Sequence, residues 1–306
     1  MVFKLLNHFG KKKEPTKSLP IARMPWNEFI KERYDKELDS YDQILRVVYS
    51  DDKTARAIIY QRPDKDMLYA VSFEKLHQCD DFELQYTSEG DSQGYWCGNS
   101  STNSFFETEE LAANAIFSEA PFRYNRHVVW KDEIFRIDVD NLHWIGNDGK
   151  DDPNDLCLHG HVFVKIGDEF FEYDATVSAA GLYLLRSLTE NHTIHENQAI
   201  IPCCGGFFIP SEDLSSVSIV GCSGSNGVDW SVVHEEGKIK LVTETGKETL
   251  VNLYNYYEEI YAFLDMIESF YKNSSPKNVS KLDQLEQNGY IAFWNEWNRR
   301  RFGIVS

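Results

Sequence analysis

Residues 161–189 read HVFVKIGDEFFEYDATVSAAGLYLLRSLT, and two periods meet in that stretch. Val162, Val164 and Ile166 alternate with other residues, Gly167-Asp168 supplies a turn, and Glu169–Tyr173 returns as a second extended run. A period of two puts successive side chains on opposite faces, so His161–Tyr173 predicts an antiparallel hairpin with one face turned to a core. From Val177 to Thr189 the spacing changes: Ala180, Leu184, Leu185 and Leu188 share one face of a helix. A hairpin running directly into an amphipathic helix argues for antiparallel sheets covered by helices, an α+β fold.

The pattern extends on both sides. Val128–Val139 predicts a further pair of strands, and Val217–Val220, Val228–Val233 and Lys238–Thr243 predict single strands, the last two joined at Glu236-Gly237. Thr249–Tyr271 predicts a long helix, with Leu250, Leu253, Tyr254, Tyr257, Ile260, Tyr261, Leu264, Ile267 and Tyr271 as its apolar stripe, ended by Ser274-Ser275-Pro276. Tyr290–Arg300 predicts a final helix. Residues 127–306 thus form a larger α+β domain with C-terminal helices. Upstream, Asn27–Leu38 predicts a short helix, and Ile44–Ser50, Ala55–Gln61, Met67–Phe73, Phe82–Tyr86 and Gly94–Cys97 predict strands. Thr108 caps a helix whose Leu111, Ala112, Ala115 and Ile116 share a face. Residues 26–120 are therefore a small α+β domain bounded near Ala120-Pro121. Residues 1–25, with three prolines after position 14, are expected to be a flexible basic arm and linker.

A chain of 306 residues with 42% hydrophobic and 26% charged residues has a globular composition with room for two cores. Its 31 Lys+Arg against 49 Asp+Glu give a net charge of −18. Residues 1–20 hold five Lys and one Glu, so the rest carries −22. Such a field repels nucleic acid and anionic lipid and attracts a basic protein. No apolar run reaches the roughly 18 residues of a membrane span. The opening residues place an apolar stretch before the basic cluster, the reverse of a signal peptide. These features lead to the expectation of a cytoplasmic protein whose six cysteines are thiols.

His161 begins one strand of the hairpin and Asp174 ends the next, the relation of the His and Asp in a Cys-His-Asp catalytic set, with Cys97 or Cys157 as the thiol. Cys97 is followed by Gly98-Asn-Ser-Ser-Thr-Asn, a loop, where a nucleophile of this kind would begin a helix. Cys157, His159 and His161 would share a strand face and Cys203-Cys204 could add sulfur, but the spacing is not that of a zinc site, and no metal or cofactor is expected. The glycines of Cys203–Gly206 and Gly221–Gly227 lie between strands with no following Lys-Ser/Thr, so turns are expected there rather than a phosphate loop. The aspartates of Asn147–Asp155 lack the EF-hand order and predict a solvated loop. Tyr256 falls off the stripe of its helix and is expected to be exposed. With Trp294 and Trp297 it is the candidate anchor of a binding surface.

The segment Arg46–Phe117 runs strand, strand, strand, Gly94-Tyr-Trp, then SFFETEELAANA at 104–115. In this it resembles small bacterial α+β domains found among the immunity proteins of polymorphic toxin systems, where a similar sequence closes the sheet with a helix. Residues 176–192 (TVSAAGLYLLRSLTENH), 201–205 (IPCCG), Gly221-Cys222 with 226–230 (NGVDW), and 289–297 (GYIAFWNEW) are similar to a bacterial family without an assigned activity. The first resemblance implies a binding protein that neutralises a basic toxin, and neither supplies catalytic residues. The alternatives are a transglutaminase-like cysteine hydrolase or transferase using Cys97, His161 and Asp174, and an interaction module unconnected with any toxin.

Overall fold

The computed structural model describes residues 24–38, 41, 43–80, 83–85, 93–98, 104–146, 150–194, 198–221 and 227–303. The chain is α+β and divides between Asn125 and Arg126 into two compact units. The arm and linker expected over residues 1–25 fall outside the described residues except for Met24 and Pro25.

The first unit comprises α1 (Trp26–Arg33), β1 (Ile44–Tyr49), β2 (Ala55–Arg62), β3 (Leu68–Gln78), β4 (Gly94–Gly98), β5 (Phe105–Phe106) and α2 (Glu109–Phe117). Its antiparallel sheet has the order β1-β2-β3-β4, with β5 also paired to β3. Strand β2 lies inside the sheet, and Ala55, Ala57, Ile58 and Ile59 are all buried, the near-continuous apolar run of a strand covered on both faces. Thr108 caps α2 by accepting a hydrogen bond from the Leu111 N–H at 3.2 Å, and the helix buries Ala112, Ala113 and Ile116. The predicted helix over 27–38 stops early, at Arg33. Fully buried Arg56 draws the following carbonyls out of helical pairing: its guanidinium donates to Lys36 O at 2.5 Å and Glu37 O at 3.1 Å, and to Glu74 Oε2 at 2.6 Å. Arg56 also lies 4.2 Å from the centre of the Trp96 ring. The strand expected over 82–86 is not formed at Glu83–Gln85, which make a 3₁₀ turn. There Asp80 and Glu83 exchange side-chain-to-backbone hydrogen bonds at 2.8 Å in the manner of a capping box.

The second unit begins with α3 (Arg126–Val129), so the strand pair predicted over 128–139 is replaced by that helical turn and one strand starting at Phe135. Next come β6 (Phe135–Trp144), β7 (Leu158–Ile166), β8 (Glu169–Thr176) and α4 (Val177–Ser187). Then follow β9 (Ile201–Pro202), β10 (Phe207–Pro210), β11 (Val217–Val220), β12 (Gly227–Val228), β13 (Trp230–Glu235), β14 (Lys238–Thr243), β15 (Glu248–Asn252), α5 (Leu253–Asn273) and α6 (Gln284–Phe302). The strands form two three-stranded antiparallel sheets, β6-β7-β8 and β13-β14-β15, and two ribbons, β10-β11 and β9-β12. The helix predicted from Thr249 starts four residues later. Residues 248–252 pair with β14, and the Asn252 side chain caps α5 by accepting from the Tyr254 N–H at 2.9 Å.

The central helix of this unit is α4, in which Val177 to Leu182, Leu184, Leu185 and Ser187 are all buried. It packs with α5 and α6 into one core that includes Trp144, Val162, Val164, Trp230, Leu241, Ile260, Phe263, Phe293 and Trp297. Two glycines set how closely elements approach. A Cβ on Gly181 of α4 would sit 2.6 Å from Trp297 Cη2 of α6, and one on Gly289 of α6 would sit 2.2 Å from the Phe208 carbonyl oxygen of β10.

Candidate functional site

The hairpin of β7 and β8 sets His161 opposite Asp174, and the His161 Nδ1–H donates to Asp174 Oδ1 at 2.7 Å. Two of the three expected catalytic groups are thus brought together. Their setting is not that of a thiol-activating pair. The other ring nitrogen, Nε2, stands 3.8 Å from Glu172 Oε2, so both nitrogens face carboxylates. The Asp174 side chain is 89% exposed, where an orienting carboxylate is normally buried. Cys97 belongs to the first unit, on β4 opposite Lys75, within a sheet strand rather than at a helix N-terminus. Burial, and next the charge of Asp155, push the Cys157 thiol up to about 12, far from a neutral-pH thiolate.

Among the described residues no group of three or more His, Cys, Asp or Glu is arranged to hold a metal ion. His159 Nδ1 bonds the Cys157 carbonyl at 3.0 Å, and the Cys203 and Cys204 sulfurs lie 3.5 Å apart. Cys204 is disulfide-bonded, which corrects the expectation that all six cysteines are thiols; Cys79, Cys97, Cys157 and Cys203 are free. Cys222 and Asn226 lie outside the described residues. In the aspartate loop, Asp155 accepts the Gly146 and Cys157 N–H groups at 3.1 and 3.0 Å, and Asp151 accepts the Ser275 N–H at 2.6 Å. Backbone donors thus occupy part of the acceptor capacity of these carboxylates, and Asp151 remains exposed to solvent.

The aromatic anchors also change place. Tyr256 is fully buried, with its hydroxyl 2.9 Å from Ser187 Oγ, and burial pushes its pKa above the usual phenol range. The expectation that it is exposed is therefore corrected. Because α5 starts at Leu253, its buried face runs through Tyr256, Ile260, Phe263, Leu264 and Ile267, while Tyr254 and Leu250 turn outward. Trp297 is buried and its indole N–H donates to Glu268 at 2.7 Å. Trp294 is half-buried against Tyr271 and Phe293. These rings fill the core rather than offer a docking surface.

A second constellation, which the sequence reading did not single out, sits beyond the C-terminal half of α4. Tyr183 and Arg186 from α4, Glu190, Asn191 and His192 from the segment after it, and Gln198, Ser218 and Ile219 line a cleft of about 310 Å³. His192 is fixed in place. Its N–H and C=O pair with Val232 at 2.9 and 2.8 Å, and its Nε2–H donates to buried Asp229 at 2.8 Å. Asp229 Oδ1 also accepts the Ile200 N–H at 3.1 Å. A carboxylate only accepts hydrogen bonds, so Nε2 carries a proton, and Nδ1 is the ring nitrogen turned away from Asp229.

On the opposite wall, Arg186 grips Glu296 through Nε and Nη2 at 2.9 and 2.8 Å, and Nη2 also reaches Val217 O at 2.5 Å. Glu296 is 1% exposed and further accepts from Arg300 Nε at 2.8 Å and from the Val217 N–H at 3.0 Å. Arg300 in turn donates to Glu190 at 2.6 Å. Desolvation opposes ionisation of Glu296, but the Arg186 fork, aided by Val217 and Arg300, holds its carboxyl below the ordinary range. The signal available in the sequence was Asp229 between Val228 and Trp230, an acid inside an apolar strand run, since a carboxylate so placed needs a partner.

No family model matches the sequence, and neither the curated proteins nor the solved structures compared with it contain a match. No helix among the described residues is long and apolar enough to cross a membrane.

Proposed function

We propose that the chain is a cytoplasmic acidic binding protein that captures a basic protein partner, in the manner of an immunity protein neutralising a toxin. The observation that carries this reading is the charge: 49 acidic against 31 basic side chains, a net of −18. Exposed carboxylates that contribute include Asp132, Glu133, Glu172, Asp174, Glu236, Glu244 and Glu258, spread over several elements of the second unit. A field of this sign raises the encounter rate with a cationic surface and discourages association with nucleic acid.

The hydrolase alternative is weaker. The half-buried thiol of Cys157 is held protonated, and His161 is bracketed by two carboxylates. The test is co-expression with a toxin encoded beside the gene, followed by purification of the complex and stopped-flow association. Rescue of growth, a stable complex, and an association rate that falls by about tenfold between low and high salt are the expected results. Absence of both rescue and complex, or an association rate indifferent to salt, overturns the proposal.

A further inference from the structure

We propose that the cleft beside α4 binds a small neutral polyhydroxylated ligand, of the size and chemistry of a single sugar ring. The inference is independent of the partner proposed above, and it rests on how the charges of the lining are arranged. Among the described lining residues the arginines and glutamates already face opposite charges: Arg186 with Glu296 and Glu190 with Arg300, within 2.6–2.9 Å, while buried Asp229 is taken up by the His192 ring N–H and the Ile200 N–H. A charged ligand entering the cleft would give up its hydration and find no uncompensated charge to replace it.

What the lining offers instead is a mixture of neutral hydrogen-bonding capacity. Arg186 uses Nε and Nη2 for Glu296 and Val217, which leaves Nη1 as a donor. Asn191 spends its carbonyl oxygen on the His234 N–H at 2.9 Å, which leaves its amide N–H groups. His192 offers its second ring nitrogen, Nδ1, the Gln198 amide supplies one donor group and one acceptor, and the Tyr183 hydroxyl can do either. Donors and acceptors interspersed over a few ångströms match hydroxyl groups, each of which donates one bond and accepts others.

The arrangement is also held in advance. The His192–Val232 bridge and the Asp229 hydrogen bond fix one wall, and the buried Glu296 network fixes the other, so little side-chain freedom is lost on binding. A volume of about 310 Å³ lies at the small end of ligand sites, which run from about 300 Å³ upward, and accommodates one ring rather than a chain of them.

The experiment is a titration of the full chain with glucose, galactose, mannose and ribose in turn, followed by the ring resonances of histidine-labelled protein. Tyr183→Phe and Gln198→Ala serve as variants, because neither residue takes part in the buried ion pairs. At least one sugar is expected to shift the His192 ring resonances saturably. Each variant should weaken that binding by about threefold or more, the loss of one hydrogen bond. Salt from about 0.05 to about 0.5 M should change the affinity by less than about twofold. No saturable shift with any of the four sugars, saturation unaffected by both variants, or saturation of the same resonances by inorganic phosphate in a salt-sensitive manner each overturns the proposal.

Discussion

Replacing Glu296 by Gln isolates the charge at the centre of the second unit's ion network. The substitution preserves shape, but it turns one acceptor oxygen into an N–H₂ group directed at the Arg186 and Arg300 guanidinium groups and the Val217 N–H. Removing one partner of a buried ion pair costs about 3–5 kcal/mol. The side chains of Arg186 and Arg300 are 23% and 14% exposed and keep part of their hydration, which places the loss near the lower end, about 3 kcal/mol. For a unit of this size each kcal/mol corresponds to about 2–4 °C, so Tm of the second unit should drop by about 6–12 °C. The assay is differential scanning calorimetry of both proteins at several pH values.

The pH dependence has a definite sign. The folded-state pKa of Glu296 lies below that of the unfolded chain, so its stabilisation is complete above the unfolded carboxyl pKa of about 4.3 and is lost as pH falls through the folded value. The gap between wild type and Glu296→Gln should therefore be widest near neutrality and close on acidification. A neutral-pH shift under about 2 °C, or a gap that does not narrow in acid, would refute the assignment of this network as a buried charge cluster.

Gly181→Ala should destabilise the second unit by about 1–2 kcal/mol, because the new Cβ would lie 2.6 Å from Trp297 Cη2 and 2.9 Å from Ile267 Cδ1; the overpacking outweighs the roughly 1 kcal/mol that Ala adds to a helix. Urea unfolding checks this, and an unchanged or raised midpoint contradicts it. Cys157, with its pKa pushed up to about 12, should react with iodoacetamide near neutral pH about a thousandfold more slowly than an ordinary thiol and regain normal reactivity in urea. Peptide mapping of the alkylated protein reads this directly, and rapid native labelling at Cys157 would revive the hydrolase alternative.

The α+β class was legible because period-two and period-3.6 patterns are strong over 161–189, where hairpin and helix follow each other without a long loop. Boundaries failed where a single side chain or cap decided them. Arg56, distant in sequence, binds the carbonyls of Lys36 and Glu37 just beyond α1, and Asn252 caps α5 so that it begins at Leu253. Tyr256, expected as a surface anchor, is fully buried: it lies one turn before Ile260, and the true buried face runs 256, 260, 263, 264, 267 rather than through Tyr254 and Leu250. The pairing of His161 with Asp174 was readable from hairpin register, because residues equally spaced from a tight turn come opposite each other. The cleft was not readable. Its ion pairs join residues as far apart as Arg186 and Glu296, a separation of 110 positions, and no local spacing encodes such a contact.

That separation bears on how the second unit comes into being. Helix α6 is translated after every other element of the unit, and it brings both Trp297 to fill the space at Gly181 and Glu296 to neutralise Arg186. Until those residues leave the ribosome, α4 waits with an open groove and an uncompensated guanidinium. The unit therefore completes its core as a late event of biosynthesis, dependent on a distant loop closure.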